Sequence, residues 1–249
     1  MNLLASELLK LRTTRVPYVL LAVTVVFAGL VAATLVGAGA LGDDRALELA
    51  QGAGFWSVLA TVLGILVVTN EYRHGTIATT FLAEPRRRRV LGAKLATSLL
   101  AGALFALAAT VAVAAVALPW LAARDEALAL DGQALQAVGR LVVAFALSAA
   151  LGAAVGAIVQ SQVGAIVIVF VWFLVVESIV GLLAALLFGE VGEPDPVSPY
   201  LPGTAIQGIV GGQASEFMLR AGPSILLAGA YVAGLAALGA LSMTRRDPQ

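Results

Sequence analysis

LVVAFALSAALGAAVGAIVQSQVGAIVIVFVWFLVVESIVGLLAALLFG, residues 141–189, is an apolar stretch with a single charged residue, Glu177, and it decides the fold. About 20 apolar residues in a helix, each rising about 1.5 Å, cross the hydrocarbon core of a bilayer. The stretch is therefore too long for one span and long enough for two. Its one polar cluster, Gln160-Ser161-Gln162, predicts a tight turn between these two spans.

Four more uncharged runs predict the other membrane spans. They give six transmembrane helices, at roughly 16–40, 51–70, 95–120, 141–159, 163–188 and 222–244. The runs lack the alternating polarity of membrane β-barrel strands, and helices satisfy their own backbone hydrogen bonds in lipid. The first run is longer than the about 7–15 apolar residues of a signal peptide, so we expect it to be retained. The patterns predict an all-α integral membrane protein with one membrane domain over residues 1–249.

The composition agrees with this class and excludes several others. Hydrophobic residues make up 60% of the chain and charged residues 12%, against about 25% charged in soluble domains. The net charge of zero argues against a nucleic-acid partner. Without cysteine, and with His74 as the one histidine, the chain has neither a disulfide framework nor the residues of a typical transition-metal site. We therefore predict no metal or cofactor in this chain.

The charges are sorted between the two sides of the predicted bundle. With six spans, eleven of the 15 Lys and Arg residues fall on the side of both termini, and ten of the 15 Asp and Glu residues fall on the other. Cytoplasmic loops carry the excess of Lys and Arg, so the sorting places both termini in the cytoplasm. Five spans would reverse the charges after residue 189, which favours six.

The segment before the first span has the spacing of a short helix lying in the membrane interface. Within residues 1–12, Leu4, Leu8 and Leu11 share one helical face, and we expect Glu7 and Lys10 elsewhere. The alternative is a frayed basic terminus.

The loop at 70–94 is the long cytoplasmic loop of this topology. Gly75 can end the second span, and the hydroxyl of Thr76 can cap a new helix. Pro85 ends that helix, and four arginines at 86–89 can attract anionic lipid. The pattern predicts a surface helix of about two turns, with its apolar residues on one side: Ile77, Phe81 and Leu82.

Three segments resemble bacterial ABC transporter permeases of the type 2 exporter class. They are ELLKLRTTR at 7–15, NEYRHGTIATTFLAEPRRR at 70–88 with Lys94 opening the third span, and PYLPG at 199–203. In that family, the segment after the second span resembles a coupling helix that sits on a separate ATPase. The resemblance implies coupling roles for these residues: Glu71, Gly75, Thr76, Pro85, Arg87 and Lys94. Tyr72, Arg73 and His74 are expected to form a polar contact surface, with Arg73 part of the coupling region.

The resemblance also implies partners and a location. We expect the subunit of an exporter in the bacterial cell membrane, with two permeases and two ATPases, and an undefined transported substrate. No G-x-x-x-x-G-K-[ST] motif occurs, so ATP and Mg²⁺ would be bound by the partner ATPase. Closure of the ATPase pair on ATP would move the coupling helices and hence the spans.

For each of three features in the membrane region, the sequence allows two interpretations. Glu177 lies about 21 Å along the fifth span and is either a pathway or proton-linked residue or a neutral, hydrogen-bonded packing residue. Gly152 and Gly156 allow close helix packing, either within the chain or at a dimer seam. The proline-rich segment 189–223, on the outer side, predicts a re-entrant or interfacial hairpin, with a plain surface loop as the alternative.

Two functional alternatives to the exporter remain open. One is an intramembrane enzyme using Glu177 or His74, although the chain has neither G-x-S-x-G nor H-E-x-x-H. The other is a membrane anchor or assembly factor that transports nothing.

Overall fold

A computed structural model describes residues 3–126, 128–129, 131–188, 196–211 and 218–245. Within these ranges the chain forms helices and turns and no strand. The helices are α1 (Leu3–Thr13), α2 (Arg15–Gly37), α3 (Arg45–Gly54), α4 (Ser57–Arg73), α5 (Ile77–Ala83), α6 (Arg87–Ala122), α7 (Gly132–Val159), α8 (Gln162–Val171), α9 (Glu177–Phe188), α10 (Pro202–Gly211) and α11 (Ala221–Arg245). A π-helical turn, Trp172–Val176, joins α8 to α9, and a 3₁₀ turn, Ser198–Tyr200, precedes α10.

Five helical segments are long and apolar enough to cross a membrane: α2, α6, α7, the continuous α8–α9 and α11. The bent pair α3 and α4 makes a sixth if it counts as one span. The all-α prediction is confirmed. The second span is not the single helix expected at 51–70, because the chain bends by 41° between Gly54 and Ser57. The glycines of the preceding QGAG segment weaken the helix at this point.

Helix α6 is longer than the predicted span at 95–120. Its 36 residues begin at Arg87 and extend for about 54 Å, well beyond the about 30 Å of a hydrocarbon core. The arginine row and Lys94, which we predicted to lie in a loop, therefore belong mostly to a helix.

Among the five single-segment spans, α7 is the most enclosed and α8–α9 is the least. Small residues set the distance between α7 and α4. A β carbon on Gly64 would lie 1.8 Å from the carbonyl oxygen of Ala149, and one on Gly152 would lie 1.9 Å from that of Thr61. The two backbones therefore touch, and the core between them excludes larger side chains.

The turn predicted at Gln160-Ser161-Gln162 is confirmed. Gln160 has the left-handed conformation, with φ 57°, and ends α7. The hydroxyl of Ser161 accepts a hydrogen bond from the N–H of Gly164, which caps α8. The two helices are therefore joined with almost no loop.

The bundle has two ends, which we name by their contents. The α5 end contains α1, α5, the start of α6, the turn at 160–162 and the end of α11. The distal end contains α3, α10 and the end of α6. There Arg124 donates to the carbonyl of Val36 at 2.6 Å, and Arg45 pairs with Glu126 at 3.1 Å.

The segment before the last span contains a buried helix at the distal end. Helix α10 has ten residues, too few to cross a membrane, and packs against α11, α7 and α3. Most of its residues are buried, including Ile206 and Ile209, which belong to the main apolar core. Two parts of the predicted hairpin, at 189–195 and 212–217, lie outside the described residues.

Candidate functional site

Helix α5 is set off from α4 by a glycine turn. Gly75 has a φ of +68°, a conformation that L side chains rarely adopt, and it ends the helical run at that point. Thr76 occupies the position before α5, but the prediction that its hydroxyl caps the helix is wrong. Its carbonyl oxygen instead accepts from the hydroxyl of Thr79 at 2.7 Å and the N–H of Thr80 at 3.2 Å.

Contrary to our prediction, the apolar residues of α5 do not all lie on one side of the helix. Ile77 is buried and Phe81 is half-buried, but Leu82 is 83% exposed. The reason is helical geometry, since position 82 lies about 100° around the helix from position 81. Helix α5 therefore holds on to the bundle through Ile77 and Phe81 and presents Leu82 outward.

Arg87 connects α5 to the last helix of the chain. Its guanidinium lies 5.0 Å from the centre of the Phe81 ring, a cation–π distance, and donates a hydrogen bond to the carbonyl oxygen of Met243 in α11. Pro85 follows the end of α5, and the adjacent Glu84 accepts from the N–H of Arg86 at 3.2 Å. The helix is thus fixed at its C-terminal side by contacts to α6 and α11.

A cluster of four charges lies at the α5 end of the bundle, among α1, α4 and α6. The ammonium of Lys94 is 2.9 Å from Glu7 and 3.0 Å from Glu71. The ammonium of Lys10 is 2.6 Å from Glu7 and 2.5 Å from Glu71. Two lysines and two glutamates therefore alternate in a closed ring, to which Lys94 adds a hydrogen bond to the carbonyl of Val67 at 3.2 Å.

Three of the four side chains in the ring are almost completely buried. Lys94 is fully buried, Glu7 is 3% exposed and Glu71 is 6% exposed, whereas the side chain of Lys10 is about half exposed. An isolated charge at such depth costs several kcal/mol, so the alternation of signs is what makes the burial possible. Burial opposes the charged form of Lys10, but hydrogen bonds and Coulombic attraction from Glu7 and Glu71 outweigh it and raise the pKa of Lys10 above its ordinary value.

The ring joins three helices that meet at the α5 end. Glu7 and Lys10 come from α1, Glu71 from the last turn of α4, and Lys94 from the second turn of α6. Helices α4 and α6 are the two that flank α5. The ring therefore ties the N-terminal helix to both attachment points of α5.

Sequence reasoning missed the role of Glu7, which we expected away from the apolar face of α1. Position 7 is about 60° from position 4 on a helical wheel, so it belongs beside the Leu4, Leu8 and Leu11 stripe. It is the buried residue of α1. A useful signal was available, because Glu7 and Lys10 are spaced three apart on that face.

The structure divides the predicted coupling residues into two groups. Arg73, His74, Gly75, Thr76 and Pro85 are exposed, and Arg87 is half-buried. Glu71 and Lys94 are buried in the charge ring. The exposed group surrounds α5, and Arg73 also donates to the side-chain oxygen of Gln162 at the start of α8, at 3.2 Å.

Glu177 contacts the start of α10, and the glycine pair lies at the interface of α7 and α4. The carboxylate of Glu177 accepts from the indole of Trp172 at 2.9 Å and from the N–H of Gly203 at 2.7 Å. A β carbon on Gly156 would lie 3.2 Å from the carbonyl oxygen of Ile65, so Gly156, like Gly152, packs against α4 within the same chain.

Taken together, the apolar helices and the enclosed core define a multi-pass helical membrane protein. The chain belongs to the family described as ABC-2 family transporter protein, whose family model matches residues 3–176. The match runs from α1 to the end of the π-helical turn. The chain is thus a membrane transport component of a family whose permeases lack an ATPase domain and generally work with an ABC ATPase. Comparison with curated proteins gives no match.

Proposed function

We propose that this chain is the transmembrane subunit of an ATP-driven exporter and that α5 is its coupling helix. The observation that carries the proposal is the attachment of α5. An exposed helix with an outward leucine is fixed at both ends to membrane-spanning helices, through Arg87 on one side and the turn beside the charge ring on the other. A push on such a helix is passed to α4, α6 and α11 together.

The charge distribution supports a cytoplasmic position for the α5 end. The arginines at 86–89 lie at this end, as do Lys10 and Arg12 of α1 and Arg15 at the start of α2. Basic residues of short loops remain in the cytoplasm, so both termini are proposed to lie there as well. A cytoplasmic ATPase could then reach α5.

The proposed mechanism uses the geometry of α5 and its neighbours. Leu82 and the exposed residues around Gly75 enter a groove of the ATPase, because an exposed apolar side chain on a short helix is a typical anchor of such contacts. Closure of two ATPases on ATP and Mg²⁺ moves α5 as a rigid body. The buried ring keeps α1, α4 and α6 in register during the movement.

The full transporter is proposed to contain two copies of the permease and two ATPases. Much of the surface of α8–α9 is apolar and exposed within one chain, including Val163, Leu174 and Leu186. That surface is available to lipid or to a second permease. The transported substrate is not assigned.

The two alternative functions, an intramembrane enzyme and a membrane anchor or assembly factor, would need other features than an exporter. An intramembrane enzyme would need a reactive group beside Glu177, but the polar groups in contact with its carboxylate are hydrogen-bond donors from Trp172 and from the start of α10. A membrane anchor would need no ATPase. A neighbouring reading frame for a Walker-type ATPase would favour the exporter.

The test is binding of that ATPase to the chain in proteoliposomes. Replacing Leu82 by Ala removes the outward side chain of α5, and we expect the ATPase to bind about tenfold more weakly and to lose its stimulation by the permease. Leu9→Ala is the matched control, because Leu9 is also an exposed leucine (60%) but lies on α1. Its effect is expected to stay below about twofold. Equal binding by the Leu82→Ala and unmodified chains would show that α5 is not the docking helix.

A further inference from the structure

The carboxylate of Glu177 lies at the start of α10, a helix 26 residues further along the chain. Its Oε1 atom accepts from the N–H of Gly203 at 2.7 Å, and the carboxylate also accepts from the N–H of Thr204. These N–H groups belong to the first turn of α10, where no carbonyl of the same helix is available. Glu177 therefore satisfies the group of donors that a capping residue usually satisfies.

The π-helical turn holds Glu177 in this position. The N–H of Glu177 donates to the carbonyl oxygen of Trp172, five residues earlier, which is the hydrogen bond that defines a π-helix. The same spacing places the indole N–H of Trp172 2.9 Å from the Glu177 carboxylate. A regular α-helix would turn these two side chains away from each other, since five residues rotate by about 500° at 3.6 per turn.

The start of α10 has residue types that allow the Glu177 carboxylate to approach its backbone. A β carbon at position 203 would lie 2.5 Å from Oε2 of Glu177, so a larger residue there would push the carboxylate out of its present position. Pro202, at the first position of α10, has no N–H to satisfy. The PYLPG segment thus ends in a residue without a side chain, Gly203, whose N–H is available to the carboxylate, and Thr204 supplies the next N–H.

The contact between Glu177 and Gly203 also joins a buried helix, α10, to a span with few buried residues, α8–α9. Helix α10 is buried, and Tyr231 of α11 donates to the carbonyl of Tyr200 just before it, at 2.7 Å. The α8–α9 span has few enclosed residues. Among the described residues, its side-chain hydrogen bonds to other helices lie at two levels: Gln162 with Arg73 at the α5 end, and Glu177 with α10.

We propose that Glu177 is a positioning residue that caps α10 from the neighbouring span, so that α8–α9 and α10 move as one unit. The carboxylate serves the fold of the distal end and is not a substrate or proton site. The link of this unit to transport, through the Arg73–Gln162 contact, rests on the proposed function. The capping itself does not.

A disulfide pair can report the contact in the permease alone. The chain has no cysteine, so introduced thiols have no competitors. A β carbon at Gly181 would lie 3.0 Å from the hydroxyl oxygen of Ser198, which is compatible with the β-carbon separation of about 3.5–4.5 Å in a disulfide. The double variant Gly181→Cys with Ser198→Cys, in liposomes and with a mild oxidant, therefore measures how firmly the start of α10 stays on α9.

Three substitutions are compared in this background. Glu177→Ala removes the acceptor of the hydrogen bonds from Trp172 and the start of α10, and we expect cross-linking to slow about tenfold. Gly203→Ala places a methyl group against the carboxylate and is expected to slow it similarly. Glu177→Gln keeps an acceptor oxygen at the same length, so its rate is expected to stay within about threefold of the parent. Gly229→Ala, whose β carbon would meet nothing within 4 Å, is the control.

Two results would overturn the proposal. One is a parental cross-linking rate in both Glu177→Ala and Gly203→Ala, which would show that the carboxylate does not hold α10. The other is a Glu177→Gln variant that cross-links normally but abolishes ATP-driven export by the permease–ATPase complex. That outcome would assign Glu177 a role in the pathway. If Glu177→Ala is poorly produced, Gly203→Ala and Trp172→Phe test the same contact from its other two sides.

Discussion

Replacement of Lys94 by Met tests whether the buried charge ring stabilises the bundle. The substitution keeps the length and apolar stem of the side chain but removes a fully buried ammonium that contacts Glu7 at 2.9 Å and Glu71 at 3.0 Å. The two glutamates are then left with Lys10 alone. Because two buried carboxylates and one ammonium carry a net charge of −1, the variant places an uncompensated charge in the interior.

The expected loss of stability follows from this geometry. Removing one partner of a buried ion pair typically costs about 3–5 kcal/mol. Lys10 still contacts both carboxylates, at 2.6 and 2.5 Å, so we expect the lower end, about 3 kcal/mol. For a chain of 249 residues this corresponds to a fall in Tm of about 6–12 °C.

The measurement is thermal unfolding in detergent, with two further variants. Lys94→Met combined with Glu71→Gln restores neutrality, and we expect it to recover at least about half of the lost Tm, since an apolar or neutral replacement of a whole buried pair is often tolerated. Lys10→Met leaves the same net charge of −1 on the ring, but it removes a side chain that is 48% exposed, so water can reach the two carboxylates and a smaller loss than that of Lys94→Met is expected. A Tm for Lys94→Met within about 2 °C of the parent would refute the reasoning, as would a double variant no more stable than the single one.

Two more predictions follow from the packing. Gly152→Ala forces α7 and α4 apart, because its β carbon would lie 1.9 Å from the carbonyl oxygen of Thr61, and should lower stability by about 1–3 kcal/mol in thermal unfolding. Gly139→Ala, also on α7 but with nothing within 4 Å of its β carbon, should not lower stability, because alanine is favoured over glycine inside a helix, and equal losses in the two variants would contradict the close packing. Arg87→Ala removes the link from Phe81 to α11 and should reduce permease-stimulated ATP hydrolysis several-fold while leaving the fold intact. Arg88→Ala, an exposed neighbour, should leave hydrolysis unchanged, and if both variants behave alike the link carries no coupling.

The lengths of the apolar runs were enough to predict the helices, because the bilayer thickness and the helical rise leave little freedom. The turn at Gln160 and the short helix before Pro85 were equally accessible, since both depend on local residue types. The bend after Gly54 was not, because glycine permits a break without requiring one.

The charge ring could be predicted only in part. Glu71 and Lys94 stood out through the family resemblance, which implied contact with another protein. The pairing of Lys94 with Glu7 depends on how α1 docks, a contact between residues 87 positions apart that no local pattern specifies. The same is true of Glu177, because no local pattern specifies that the backbone of Gly203, 26 residues away, lies opposite its carboxylate.

The four residues of the closed ring are synthesised at different times. Glu7 and Lys10 leave the ribosome first, Glu71 follows 61 residues after Lys10, and Lys94 follows 87 residues after Glu7. Glu7 and Lys10 therefore lack Glu71 and Lys94 until the second and third membrane segments have been synthesised. Only a chain in which all three segments have inserted and come together can neutralise these charges away from water. The closed ring therefore forms only after correct early assembly, and a chain in which Glu7 is replaced by Ala would hold Lys10 and Lys94 against Glu71 alone, with a net charge of +1.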